Sequence, residues 1–385
     1  MSTMEQGTRR DAELFKFIPE EIMFEILTRL SVKSLLRFRC VCKSWNSLIT
    51  SPNFINNHLE RHDMDSSCDY LLVQTGSAKS LFCAKTFVKY MDLDLPSCEM
   101  YLGFNDFFVY GSCNGLLCIC ANHAYGPLNS SMYMWNPSNR KIKRLPQGLY
   151  QNVGINVSLG FGFHRQKNDY KVVKIVHGEI MYKVEVYSLR LNSWRELGAV
   201  LPIWSYSTYL NKSAIHVNGV VYWMVKEKNS ARSFILSFDM DNEVFQKMEL
   251  PEKLVGGIGS VSIQVFEKSL SLIHLREDED NLVRHVSYCD IWVMGLETWK
   301  MIRTILLPQV RLYPAYGRMA WPLSFTTDGV YIVRLDEKEF QTLVLFDPIS
   351  QEAEAITRVK PGFYGYITYI YMEVHAYKET LILLD

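Results

Sequence analysis

Apolar residues recur at helical spacing near the start of the chain, over residues 17–54. The first apolar set spans an arc of about 140° on a helical wheel and comprises Ile22, Met23, Ile26, Leu27 and Leu30. Pro19 suits the first turn of a helix, because its missing N–H is not needed there, and two glutamates follow it. The pattern predicts a helix over about residues 19–30, with more apolar surface than one small core requires.

Two further apolar sets and a connecting helix follow. The second set comprises Leu35, Leu36 and Phe38, and the third comprises Val41, Trp45 and Leu48 at the spacing i, i+4, i+7. Residues 52–62 carry another apolar face and are predicted to link this unit to the rest of the chain as a helix. A chain of about 40 residues rarely folds unless something else covers its apolar faces. We therefore expect a partner or an adjoining domain to dock here.

From about residue 68 onward the pattern changes to short strands separated by turn residues. An aromatic-ended strand, a polar turn and a second strand recur five times, at separations of 52, 51, 54 and 54 residues. The five aromatic positions are Trp135, Tyr187, Phe238, Trp292 and Phe346. Another strand precedes each of them by about 20 residues. Four strands in about 50 residues is the pattern of a β-propeller blade, and this period is close to that of kelch repeats.

Two β segments at the ends of this region, residues 68–87 and 366–384, stay outside the five copies. Joined to each other, they would form a sixth blade and close the ring, which removes exposed strand edges. The predicted fold class is mainly β, with an N-terminal three-helix unit followed by a β-propeller-like domain of about six four-stranded blades. An irregular β-sandwich with coincidental spacing is the alternative.

Composition narrows the classes of partner. Lys and Arg number 41 and Asp and Glu also number 41, so no net field attracts nucleic acid or an anionic membrane. Residues 1–16 are polar, are expected to be disordered and lack the apolar stretch of a signal peptide. No apolar run approaches the length of a bilayer span. We expect the protein in the cytoplasm, the nucleus or both.

Nine cysteines are scattered along the chain and fit a reducing compartment. The pairs Cys40/Cys42 and Cys118/Cys120 are separated by one residue, which is not the spacing of zinc ligands. We expect both pairs to pack in the core, and we expect neither a metal nor a cofactor.

Short motifs in the helical region occur in a specific order. They are Ile18-Pro19-Glu20-Glu21, Ile26-Leu27, Arg29-Leu30, Val32-Lys33-Ser34-Leu35 and Val41-Cys42-Lys43-Ser44-Trp45. Together they resemble an F-box, although Ile18 and Ser31 stand where that family usually has leucine and proline. Ser31 can still cap the following helix.

The F-box resemblance implies a binding function. In that family the segment binds a Skp-type adaptor, which joins a cullin and a RING subunit to form a ubiquitin ligase. Carried over position by position, the adaptor contacts would be Pro19, Ile26, Leu27, Leu30, Leu35, Val41, Cys42 and Trp45. The alternative is a plain helical subdomain that packs on the rest of the chain.

The β region carries the phrases GSCNGLLCI, WNPSNRKIKRLP, DYKVVKI, VEVYSLRLNSW and AYKETLILL. These phrases resemble the F-box-associated domain of plant F-box proteins, and within that group the S-locus F-box and S-locus F-box-like proteins. The resemblance implies selection of a protein substrate for ubiquitination and proteasomal degradation, with S-ribonucleases as the targets of S-locus members in pollen self-incompatibility. It divides the chain into an F-box with its connecting helix at residues 17–62 and a substrate-binding domain at residues 63–385.

Motifs for catalysis are absent from the sequence, which has no Gly-x-Ser-x-Gly, no His-Glu-x-x-His and no phosphate-binding loop. We therefore expect no enzyme activity, and we interpret Gly160-Phe161-Gly162 as a close crossing of strands. The acidic run Glu277, Asp278, Glu279 and Asp280 is a candidate contact for a basic substrate, with a solvated turn as the alternative. Two other functions stay open, namely a non-degradative protein-binding propeller without ligase assembly and a propeller enzyme with a dispersed site.

Overall fold

The structure of the protein is a computed structural model. It describes residues 18–64, 70–75, 78–95, 107–121, 131–150, 157–177, 182–198, 201–202, 208–210, 214–227, 232–254, 260–266, 268–277, 287–295, 298–307, 320–325, 331–336, 341–359 and 372–384. The segment 1–16, for which we expect disorder, lies outside these ranges. So do Asp278, Glu279 and Asp280 of the acidic run.

Four helices precede the β region and form a helical unit over residues 18–64. They are α1 (Glu20–Leu27), α2 (Val32–Phe38), α3 (Lys43–Thr50) and α4 (Pro52–Met64). The predicted order of three short helices and a connecting helix is confirmed. The first helix is shorter than predicted, because the chain turns after Leu27 and the Leu30 N–H donates to the Leu27 carbonyl over 3.0 Å. Val41, which the sequence placed in the third set, lies before α3.

The described part of the β region forms six antiparallel sheets, which we number as blades 1 to 6. Blade 1 comprises β1 (Tyr70–Thr75), β2 (Ala78–Cys83), β3 (Lys89–Asp92) and β25 (Met372–Tyr377). Blade 2 comprises β4 (Phe107–Cys113), β5 (Leu116–Ala121), β6 (Met132–Asn136) and β7 (Lys141–Arg144). Blade 3 comprises β8 (Val157–His164), β9 (Asp169–His177), β10 (Tyr182–Ser188) and β11 (Ser193–Glu196).

The remaining blades follow the same order. Blade 4 comprises β12 (Thr208–Leu210), β13 (Ile215–Val217), β14 (Val220–Glu227), β15 (Ser233–Asp239) and β16 (Phe245–Glu249). Blade 5 comprises β17 (Ser260–Phe266), β18 (Ser269–Glu277), β19 (Ser287–Met294) and β20 (Trp299–Leu306). Blade 6 comprises β21 (Ala320–Phe325), β22 (Tyr331–Asp336), β23 (Gln341–Phe346) and β24 (Ala353–Val359). In blade 4 the innermost strand is split, because β12 and β13 both pair with β14.

Strands from the two ends of the β region close the ring. β25 pairs antiparallel with β1 in a register that runs from Tyr70 opposite Tyr377 to Thr75 opposite Met372. The innermost strands contact one another in the order β25, β4, β8, β13, β17, β21 and back to β25. The predicted joining of the two unassigned segments into a sixth blade is therefore confirmed, and the fold is a six-bladed β-propeller.

The five repeated aromatic residues occupy one structural position. Each lies in the third strand of its blade, where it pairs with a residue of the second strand, as Trp135 does with Leu117 and Phe346 does with Tyr331. All five side chains are buried. The repeat was detectable in the sequence because this third strand packs between neighbouring blades and needs a large apolar side chain.

Two glycines allow blades 3 and 4 to approach each other closely. A Cβ atom at Gly160 would lie 2.5 Å from Cζ2 of Trp223, and one at Gly162 would lie 2.7 Å from Cδ2 of His216. Real Cβ atoms are not found at such distances, so β8 requires glycine at both positions. This confirms the interpretation of Gly160-Phe161-Gly162 as a close strand crossing.

The propeller has two faces that differ in their connections. One face carries the turns between the first and second strands and between the third and fourth strands, such as residues 113–116 and 136–141 of blade 2. α4 leads towards β1 at this face, which we call the helical face. The second strands end, and the third strands begin, at the opposite face, which we call the distal face.

Candidate functional site

The first helix exposes two isoleucines on one side. The side chains of Ile22 and Ile26 are 52% and 50% exposed, whereas Leu27 is only 2% exposed. Because residues four apart lie above one another on a helix, Ile22 and Ile26 form one apolar strip directed away from the core. Burial of an isoleucine side chain contributes about 1.5–3 kcal/mol. The strip is therefore a favourable surface for a protein partner.

Residues with the opposite orientation hold the helical unit together. Leu27 and Leu35, which is fully buried, pack in one apolar cluster with Val32, Ile49 and Phe54. Both side chains lie in the interior of the helical unit and hold α1, which carries the exposed strip, in position. Leu27 belongs to the inward part of the apolar arc of α1, and Leu35 reaches the same cluster from α2.

The eight sequence-predicted contact residues divide into three groups. Exposed residues are Pro19, Ile26, Val41 and Cys42, half-buried residues are Leu30 and Trp45, and buried residues are Leu27 and Leu35. The structure therefore offers six of the eight side chains at least in part to a partner. It also exposes Ile22, which the sequence placed in the apolar arc but not among the contacts. The four-residue spacing from Ile26 was the signal that could have added it.

The residue before each of the helices α2 and α3 accepts a hydrogen bond from the first turn of that helix. The Ser31 hydroxyl accepts a hydrogen bond from the Ser34 N–H over 3.4 Å, which confirms the predicted cap. Cys42 precedes α3, and its carbonyl accepts the first helical hydrogen bond from Asn46 over 3.1 Å. The Ser44 hydroxyl and then the Trp45 backbone N–H lower the pKa of the Cys42 thiol from its ordinary value, because both stabilise the thiolate.

The turn between α2 and α3 is held by contacts across it. The rings of Phe38 and Trp45 lie 5.3 Å apart, and Arg39 Nε donates to Asn46 Oδ1 over 3.1 Å. These contacts leave Val41 56% exposed at the tip of the turn. Val41 is thus a further apolar residue, besides Ile22 and Ile26, that the unit presents to solvent.

Three contacts along its length join the connecting helix α4 to the first helix α1 and the turn after it. The rings of Phe24 and Phe54 meet edge to face with centroids 5.3 Å apart. Further along α4, the His58 ring contacts the end of the α1 turn, and Arg61 forms a 2.9 Å ion pair with Glu25. The ion pair is exposed and contributes little. The aromatic contact, by contrast, is buried and makes α1 and α4 one rigid pair.

The helical unit also shares its apolar core with the propeller. Leu27 and Phe54 belong to the same buried cluster as Leu116 of blade 2 and Leu381 beyond β25. The unit is therefore packed on the helical face, with the strip of Ile22 and Ile26 left exposed.

The acidic run begins in blade 5 of the propeller, outside the helical unit. Glu277 is the last residue of β18 and pairs with Ser287 at the start of β19. The run therefore begins a connection between second and third strands, which places Glu277 at the distal face. Asp278, Glu279 and Asp280 follow outside the described residues.

Cysteines in the described ranges are free thiols in two different settings. Cys118 and Cys120 are buried in the core as expected, and burial raises the pKa of Cys118 to about 12. The same expectation is wrong for Cys40 and Cys42, which are exposed because the turn between α2 and α3 directs them to solvent.

A metal site or a membrane span would require clustered ligands or a long apolar helix. Among the residues that the structure describes, no group of three or more His, Cys, Asp or Glu side chains is placed to hold a metal ion. No helix within the described ranges has the length and apolar character needed to cross a membrane.

Comparison with protein families matches both parts of the chain. Residues 16–57 match the F-box domain, and residues 95–379 match the F-box associated beta propeller domain. The second match alone covers more than half of the chain.

Individual relatives come from Arabidopsis thaliana. The chain is 31% identical to F-box/kelch-repeat protein At3g23880 over 299 residues, which cover 72% of this chain and 75% of the relative. It is 27% identical to F-box protein At5g49610 over 338 residues, with 82% of this chain and 85% of the relative covered. It is 27% identical to F-box protein CPR1 over 387 residues, with 88% and 87% covered.

Proposed function

The chain belongs to the F-box proteins that carry an F-box associated β-propeller domain, and from this membership we propose that it is the substrate-recognition subunit of a Skp–cullin–F-box ubiquitin ligase. The F-box implies a Skp-type adaptor as a partner, and F-box proteins generally act as adaptors rather than enzymes. In this proposal the helical unit binds the adaptor, and the propeller binds the protein that is to be ubiquitinated and degraded.

The exposed strip of Ile22 and Ile26 is the observation that carries the proposal. Both side chains are half exposed on a helix whose other side is buried, so the fold itself does not use them. Val41 adds a third exposed apolar residue, from the turn between α2 and α3. We assign the direct adaptor contact to the exposed and half-buried members of the predicted set, together with Ile22. Leu27 and Leu35 contribute by holding that surface in shape.

The mechanism requires no bond-making by this protein. An adaptor on the helical unit and a target on the propeller are held in one complex, which raises the local concentration of target lysines beside the charged ubiquitin carrier. We divide the roles at residues 17–62 for the F-box with its connecting helix and residues 63–385 for target binding. A ligase of this type works in the cytoplasm or the nucleus, where we place the protein.

We extend the proposal to a class of target. The resemblance to S-locus F-box proteins supports a secreted ribonuclease that enters the pollen tube. Glu277, the first residue of the acidic run, ends β18 at the distal face, away from the helical unit. Acidic side chains at that face complement a basic ribonuclease and would raise the rate and specificity of association.

Co-purification with a Skp-type adaptor tests the first part. The full chain should retain the adaptor, and the double variant Ile22→Glu/Ile26→Glu should lose it, because two charges would have to be buried in the contact. Ile349→Glu is the matched control, since Ile349 is a 90% exposed isoleucine of blade 6. If the unaltered chain fails to retain the adaptor, the protein is a non-degradative binding module and the ligase proposal is wrong.

Binding of a purified S-ribonuclease tests the second part. Replacement of Glu277, Asp278, Glu279 and Asp280 by serine should weaken binding and reduce its dependence on salt concentration. Replacement of Glu352 and Glu354, which are exposed on blade 6, is the control. Unchanged affinity and unchanged salt dependence in the first variant would exclude the acidic run as the contact.

A further inference from the structure

Segment 378–384 crosses the helical face between the propeller and the F-box. It follows Tyr377, the last residue of β25, which is the innermost strand of blade 1. Its side chains Leu381, Ile382 and Leu384 are buried in the apolar cluster that also contains Leu27 of the F-box. We call residues 378–384 the latch segment.

Blade 2 holds the backbone of the latch segment through one turn. The buried side-chain amide of Asn136 donates to the carbonyl oxygens of Thr380 and Ile382 over 3.1 and 2.9 Å. The Asn139 side-chain amide donates to the same Ile382 oxygen over 2.8 Å. The Ser138 hydroxyl accepts from the Thr380 N–H over 3.1 Å.

A second turn of blade 2 leaves room for the latch segment. Gly115 has φ +79°, and a Cβ atom there would overlap the Lys378 carbonyl oxygen and lie 2.5 Å from Cγ2 of Thr380. The Ser138 hydroxyl also lies 2.7 Å from the Tyr377 hydroxyl. The latch segment therefore packs closely against two turns of blade 2, one at Gly115 and one at Asn136.

The F-box contacts the other side of the latch segment. Burial raises the pKa of Glu379 in the latch segment, and attraction to Lys33 of the F-box opposes that rise. The Tyr90 side chain of blade 1 also forms a hydrogen bond with Glu379. The apolar packing of Leu381, Ile382 and Leu384 with Leu27 therefore joins the latch segment to the F-box, and the charge of Lys33 favours the same arrangement.

We propose that the latch segment fixes the orientation of the F-box relative to the propeller, with Asn136, Ser138 and Asn139 as positioning residues. The backbone connection between α4 and β1 and the apolar contact with Leu116 of blade 2 already attach the F-box to the propeller. The latch segment adds an attachment that directional hydrogen bonds to blade 2 hold in place, and this restricts rotation further. The proposed orienting role of the latch segment follows from these contacts alone. Its consequence for ubiquitin transfer rests on the proposed ligase function, because the orientation of the F-box decides which lysines reach the charged carrier.

Pulsed electron resonance on the full chain tests the structural part. Spin labels on non-natural amino acids at Glu60 of α4 and Ile349 of blade 6, both exposed, report the distance between F-box and propeller. Asn139→Asp keeps the side-chain oxygen that accepts a hydrogen bond within its own turn. It replaces the amide that donates to the Ile382 carbonyl oxygen with a carboxylate, which that oxygen repels. We expect a broader distance distribution than in the unaltered chain.

Two further variants keep the test decisive. Leu191→Asp places the same charge at the equivalent turn of blade 3, where Leu191 is exposed, and should leave the distribution unchanged. Ser138→Ala removes the hydroxyl that binds Thr380 without adding charge, and should speed amide exchange at Thr380 by about tenfold. Distributions of equal width in all variants, or unchanged exchange at Thr380, would overturn the latch.

Self-ubiquitination in a reconstituted ligase tests the consequence. We expect Asn139→Asp to retain the adaptor but to spread modification to lysines that the unaltered chain leaves unmodified. An unchanged lysine map alongside a broadened distance distribution would refute the link to transfer. If the unaltered chain fails to bind the adaptor, the proposed ligase function is wrong. The distance measurement by electron resonance would then still test the latch segment by itself.

Discussion

The imidazole Nε2 atom of His58 lies 2.9 Å from the backbone carbonyl oxygen of Leu30. A carbonyl only accepts, so Nε2 carries the proton and donates. His58 is buried, and Leu30 ends the turn after α1, so this bond joins the connecting helix to the region for which we propose adaptor binding. It is a long-range contact within the F-box that replaces a missing helical partner for the carbonyl.

Removal of this bond should loosen the F-box. His58→Leu leaves the Leu30 carbonyl without its donor, and we expect the free energy of opening of α1 to fall by about 1–3 kcal/mol. Native-state amide exchange of the α1 residues measures this change. Glu60→Leu, an exposed position on the same helix, is the control and should leave exchange unchanged.

Ile26, which is exposed, and Leu35, which is buried, should respond differently to replacement by alanine. Ile26→Ala should weaken adaptor binding by about tenfold while thermal stability stays the same, because the side chain is exposed in the free protein. Leu35→Ala should destabilise the F-box by about 2–5 kcal/mol, because it leaves a cavity. Adaptor titration and amide exchange separate the two. Equal loss of stability in both variants would contradict the assigned orientation of α1.

The close approach of blades 3 and 4 should not tolerate a methyl group. Gly160→Ala would place Cβ 2.5 Å from the Trp223 ring, and we expect destabilisation of about 1–3 kcal/mol through overpacking. Gly198→Ala meets no atom within 4 Å and is the control. Thermal unfolding midpoints of the two variants provide the measurement, and equal midpoints would argue against the tight crossing.

Stability should depend on pH through His216. Burial, with a smaller contribution from Arg165, lowers the pKa of His216 from 6.5 to about 4. The unfolded chain therefore binds a proton at a pH where the folded chain does not, so stability is lost as pH falls from about 6.5 towards 4. At pH 5 the loss should be about 2 kcal/mol.

His216→Leu isolates this effect. The Nε2 atom of His216 is buried and has no hydrogen-bond partner among the described residues, so leucine removes the titration without breaking a bond at that atom. Denaturant unfolding at pH 7 and pH 5 should show a smaller loss in the variant than in the unaltered chain. Parallel losses in both proteins would assign the pH dependence to other groups.

Much of the architecture was readable from local sequence patterns. The spacing of the five aromatic positions from Trp135 to Phe346 predicted the blades, because each blade repeats the same packing requirement. The motif at Pro19 and the predicted cap at Ser31 lie next to the helices they start, so the existence of these helices was also a local property. The end of α1 was missed, since Leu30 continues the apolar spacing beyond the last helical turn.

The sequence by itself determined the repeat number, the closure of the ring by its two ends and the presence of the F-box helices. Only the tertiary structure decided that Leu27 faces inward while Ile26 faces outward, and that Asn136 binds the distant Ile382 carbonyl. The physical reason is that helical and strand periods fix the relative directions of neighbouring side chains. Which direction becomes the interior depends on contacts with residues hundreds of positions away, and no local pattern encodes those contacts.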